Sequence, residues 1–128
     1  MRLADSFDEN YRVRSFEISN VFFHRRDVCR VFESITGVKR IRKQLRQDTF
    51  CEYELNGVRF IAEEPFGDNS VYWVGPLAPG WSPELEAIRN AFLDAKPTVW
   101  GYLPWVVLLA VVAVSFFSWG ANVSNCAG

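Results

Sequence analysis

The chain has 128 residues, with 14 Lys and Arg against 15 Asp and Glu, one His and three Cys. Three cysteines make no disulfide framework, and a lone histidine supplies no zinc cluster. All charged residues lie before Pro97, which leaves room for one small charged domain followed by an uncharged C-terminal stretch.

The N-terminus, MRLADSFDENYRVR, is polar and lacks the apolar core of a signal peptide. Tyr11–Phe23 alternates in part through Val13, Phe16 and Ile18, then Val21 and Phe23, which predicts one or two strands broken near Ser19-Asn20. Asp27 is suited to cap a helix whose stripe is Val28, Val31, Phe32 and Ile35, with Gly37 ending it. Val38–Gln47 is ambiguous. Val38, Ile41 and Leu45 have helical spacing, whereas the need to pair a sheet favours a short strand.

CEYEL-NG-VRFIA predicts a β-hairpin with Asn56-Gly57 as a two-residue turn. That turn sets Leu55 opposite Val58, Tyr53 opposite Phe60 and Cys51 opposite Ala62, and it faces Glu54 with Arg59 on the other side. A further strand covers Ser70–Val74, and alternation sends Tyr72 and Trp73 to opposite faces, with Trp73 expected in the core and Tyr72 outside. After Gly75–Gly80, Ser82 caps a second helix with Pro83 in its first position and Leu85, Ile88, Ala91, Phe92 and Ala95 as its stripe. The expected fold is α+β: a small antiparallel sheet with two amphipathic helices on one face, over residues 1–96.

Val99–Ala121 reads VWGYLPWVVLLAVVAVSFFSWGA. As a helix these residues span roughly 34 Å, enough for a hydrocarbon core of about 30 Å. Aromatic residues at both ends (Trp100, Tyr102 and Trp105; Phe117 and Trp119) suit the two interfaces. Residues 97–121 are therefore expected to be a linker and a single transmembrane helix, and 122–128 a short outer tail. Arg89 and Lys96 precede the span and no Lys or Arg follows it, so the N-terminal domain is expected in the cytoplasm, with a bacterial inner membrane as the setting. In that setting Cys29 and Cys51 read as small core residues, while Cys126 is an odd thiol in the tail.

Charge is divided along the domain. Residues 24–46 carry eight basic and two acidic side chains, and residues 47–96 carry nine acidic and three basic, so the halves are expected to face each other or to make a dipolar surface. Lys39, Arg40, Arg42, Lys43 and Arg46 are the candidates for gripping anionic lipid or an acidic partner, or else form a solvated face. The segment has no interleaved aromatic platform, so nucleic acid is not an expected partner. Tyr72 and Trp81 are candidate partner contacts. Glu63, Glu64 and Asp68, near Asn69 and Ser70, are the weak candidates for a hard cation or for acid–base chemistry, although Asp68-Asn69-Ser70 is also ordinary turn composition. His24, at a strand–helix junction, is expected to serve the local backbone. No nucleophile or transition-state clamp has a recognisable spacing, and no cofactor is expected.

These features favour a non-enzymatic binding or inhibitory module displayed on the bilayer, its partner another membrane-associated protein. An accessory subunit of a membrane complex and a metal-dependent hydrolase at the acidic turn are the alternatives.

Overall fold

The computed structural model describes residues 3–65, 70–96 and 99–126. It divides into two units, residues 1–97 and 98–128. The first holds a six-stranded, wholly antiparallel sheet: β1 (Leu3–Phe7), β2 (Val13–Ser19), β3 (Lys39–Lys43), β4 (Thr49–Leu55), β5 (Val58–Glu63) and β6 (Val71–Pro76). Their spatial order is β1-β2-β6-β5-β4-β3. Between β2 and β3, α1 (Arg25–Ser34) carries the chain to the far edge, and the β3–β6 meander then returns to pair β6 with β2. The last element of this unit is α2 (Pro83–Asp94).

Both helices lie on one face of the sheet. Val28, Val31 and Phe32 of α1, with Leu85, Ile88 and Phe92 of α2, share a buried core with Phe16, Ile18, Tyr53, Phe60, Ala62, Tyr72 and Val74. Phe32 stacks on Tyr53 at 4.7 Å, and Phe92 meets both Phe32 and Phe16 at 5.4 Å, so one aromatic run joins the two helices to β2 and β4.

Asn56 and Gly57 have φ of 51° and 82°, the left-handed pair that a tight hairpin needs, and the register is the expected one from Leu55↔Val58 to Cys51↔Ala62. Ser82 caps α2 by accepting from the Leu85 amide at 3.2 Å. In α1 the cap position belongs to His24. Asp27 is the third helical residue and takes the His24 backbone N–H at 2.9 Å, because a carboxylate there reaches back one turn. The ambiguous segment is strand β3, with a bulge between Arg40 and Arg42. A strand at residues 3–7, β1, was not expected from the sequence; it forms the other edge.

In the second unit, α3 (Val99–Cys126) contains a 19-residue stretch, Tyr102–Gly120, long and apolar enough to cross a membrane. Val106, Val107, Leu108 and Leu109 are all exposed, so the helix is apolar around its circumference rather than along one stripe. Ser115 donates to the Val111 carbonyl at 2.9 Å, which satisfies its hydroxyl within the helix. Tyr102, Trp105, Phe117 and Trp119 are exposed; the side chain of Trp100 lies outside the described residues.

Candidate functional site

A strand alternates its side chains, so the sheet face opposite the helices is built from the intervening residues of the same strands. From β3 to β1, the register lines up Lys39 and Arg42, Glu52 and Glu54, Arg59, Ile61 and Glu63, then Val71, Trp73 and Gly75, Ser15 and Glu17, and Ala4 and Ser6. The first half of that face is a charge ladder. Arg59 lies opposite Glu54 as expected, but its guanidinium reaches diagonally to Glu52 at 2.5 Å. Glu52 is thereby engaged, and Arg42, its other neighbour, keeps a buried Nε with no hydrogen-bond partner.

The second half carries a groove of about 680 Å³, lined among others by Ser15, Glu17, Ile61, Glu63, Trp73 and Leu77. Trp73 is its floor. The six-membered ring lies over Gly75, where a Cβ would fall 2.5 Å from Trp73 Cη2, so the ring position depends on glycine. Trp73 is paired with Glu17 on β2 and with Glu63 on β5. Thr49 donates to Glu63 Oε2 at 3.2 Å, which positions that carboxylate, and Arg14 at the groove's margin donates from Nε to Ser6 Oγ at 3.0 Å.

The assignment of Tyr72 and Trp73 is the reverse of the expectation. Tyr72 is 6% exposed, because it shares its face with Val74 and pairs with core Ile18, and its ring meets Phe50 at 5.3 Å. Burial, then the nearby Glu64 carboxylate, push its hydroxyl above the ordinary tyrosine range. Tyr72 is therefore a core residue rather than the exposed one. Alternation separates the two rings but does not say which goes in. The available signal was Gly75, which opens room for a ring only on the Trp73 side.

The basic segment is divided between the two faces of the sheet. Arg40 and Lys43 are on the helix side, where both pair with Glu33 of α1, at 3.1 and 3.4 Å. Lys39 and Arg42 lie opposite Glu54 and Glu52 on the other face, and Arg46 is exposed in the turn after β3. The acidic and basic halves of the chain meet across the β3–β4 ladder, but their ion pairs do not all run between them. Arg25–Glu64 joins them, whereas Arg30–Asp27 and Arg59–Glu52 are each internal to one half.

The acidic turn is likewise divided. Glu63 points to the groove, while Glu64 is taken by Arg25 on the helix side; Asp68 lies outside the described residues. Among the described residues no group of three His, Cys, Asp or Glu side chains is placed to hold a metal ion. Trp81 is exposed at the other end of the strands, its ring covered by Arg12 at 4.9 Å and its indole N–H directed to Glu86. Cys29 and Cys51 are both fully buried and read as core thiols; the hydrogen bond between them pulls the Cys29 thiol down and, with burial, pushes the Cys51 thiol up.

Comparison with protein families, with curated proteins and with solved structures finds no match to this chain.

Proposed function

We propose that this protein is a single-pass, membrane-anchored binding module without catalytic activity, which presents the uncovered face of its sheet to another membrane-associated protein. The observation that supports this reading most directly is the one-sided packing. Both amphipathic helices cover the same face, and the other face keeps a groove with a partly exposed tryptophan beside two carboxylates. The apolar helix α3 supplies the anchor. Arg89 and Lys96 shortly before it, with no Lys or Arg in residues 121–128, support a cytoplasmic sheet domain and an α3 that ends on the outer side.

The test is purification of the tagged full chain in mild detergent from its native cell, beside a version in which an unrelated apolar helix replaces α3. Mass spectrometry identifies what accompanies each. A stoichiometric partner kept by both versions and lost on Trp73→Ala supports a binding module that uses the open face. A partner lost with α3 makes the protein an integral subunit of a complex instead. No partner in either version overturns the reading.

A further inference from the structure

We propose that the groove takes a cationic side chain, an arginine or lysine from a basic segment of the partner protein, with Trp73 as its platform and Glu17 and Glu63 as its counter-charges. This rests on the binding-module reading and names the partner's chemistry. Three features of the open face converge on a cation. Trp73 is flanked by a glutamate on each neighbouring strand, Glu17↔Trp73 and Glu63↔Trp73, and directly paired cross-strand side chains lie within about 5.5 Å at Cβ. Neither carboxylate forms an ion pair among the described residues, whereas Asp5, Asp27, Glu33, Glu52 and Glu64 each have one. Gly75 lets the indole lie along the strand, which presents an aromatic surface rather than an edge of backbone.

An aromatic ring with carboxylates at its border attracts a guanidinium or ammonium through both the ring quadrupole and the charges. Ile61 and Leu77 add apolar wall for the aliphatic stem of such a side chain. The chain already uses this contact internally, since Arg12 sits over Trp81 and Arg25 over Phe50, while no cation of the described residues sits over Trp73. Arg14, which also lines the groove, donates to Ser6 Oγ, whereas Glu17 and Glu63 are the acidic residues paired with Trp73.

The experiment uses the full chain in non-ionic detergent, labelled with ¹⁵N at the tryptophan indoles, with the Trp73 resonance identified by its loss in Trp73→Phe. Acetyl-Arg-Arg-amide is titrated, with acetyl-Glu-Glu-amide as the control and phosphoethanolamine as the competing headgroup probe. The expected result is a saturable shift of Trp73 with the arginine peptide, weakened by added salt and absent with the acidic peptide. Glu17→Gln with Glu63→Gln weakens binding roughly tenfold. Glu17→Gln alone, which removes no hydrogen bond or ion pair among the described residues, also weakens it and guards against disturbance of the Thr49–Glu63 contact. An unmoved Trp73 resonance at millimolar peptide overturns the proposal, as does equal affinity in the glutamine variants. Tighter binding of phosphoethanolamine than of the peptide overturns it too, because the groove is then a lipid-headgroup site. Any of these failures leaves partner capture by the full chain untouched, and loss of capture alone leaves the titration intact, so the two readings fall separately.

Discussion

At Gly75 a single added methyl group tests how the open face is built. Its carbon would lie 2.5 and 2.6 Å from two atoms of the Trp73 ring and 3.1 Å from Ser15 Cβ, so the ring must leave its seat. Overpacking of this kind costs about 1–3 kcal/mol, less where the ring escapes to solvent. Gly75→Ala is therefore expected to destabilise modestly in urea melts while moving the Trp73 indole resonance strongly, and an unchanged resonance would show that the ring does not rest there. Glu33 offers a second test at this scale. Burial acts to raise its pKa, but the Tyr53 hydroxyl at 2.8 Å, Lys43 and Arg40 outweigh it and hold the carboxyl below its ordinary value of 4.5. A depressed carboxyl favours the folded state when ionised. Its contribution is complete above the unfolded value and is lost as pH falls from there through the folded one. Glu33→Gln should accordingly be less stable than the native chain at neutral pH, and the gap should narrow as pH drops below about 4.5. A gap that stays constant down to low pH would remove Glu33 from the acid response.

At the scale of elements, β1 is joined to the fold by more than its ladder with β2. Asp5 accepts two bonds from Arg89 of α2, Nε at 2.8 Å and the terminal nitrogen at 2.6 Å, and both side chains are largely shielded. The carboxylate raises the Arg89 pKa further, consistent with a charge-assisted pair. Removing one member leaves the other shielded and unpaired, so Arg89→Ala should cost about 1–3 kcal/mol. The loss should appear first as faster amide exchange in β1, and uniform acceleration across the sheet would contradict this clamp. The same pair explains why β1 was not legible in the sequence. LADSF turns a carboxylate inward, which makes sense only with a partner 84 residues away. β3 was obscured differently. Its bulge makes Ile41 the extra residue and places Arg40 and Lys43, three apart, on one face, so a strand carries helix-like spacing. The β4–β5 hairpin and the α2 cap were legible because Asn56-Gly57 and Ser82-Pro83 act within a few residues of themselves. The groove is half legible: Glu63 stands out in the sequence, but as part of an acidic turn, and Glu17 joins Trp73 only through the pairing of β6 with the distant β2.

For the whole molecule, the proposed topology has a direct chemical readout in the three cysteines. Cys29 and Cys51 are buried in the sheet unit and are protected from reagents while that unit is folded. Cys126 is the last residue of α3, six residues beyond the Tyr102–Gly120 stretch, so it reports the side of the membrane on which the helix ends. With the sheet domain in the cytoplasm, a membrane-impermeant maleimide added to intact cells or spheroplasts should label the protein once, and Cys126→Ser should abolish that label. Cys29 and Cys51 should react only after permeabilisation together with denaturant. Labelling of Cys126 only after permeabilisation would invert the topology and place the groove outside the cytoplasm. Release of the full chain into the soluble fraction by alkaline carbonate would remove the anchor altogether. Arg89 and Lys96 are the basic residues nearest the helix, and the labelling pattern tests the orientation that their position predicts.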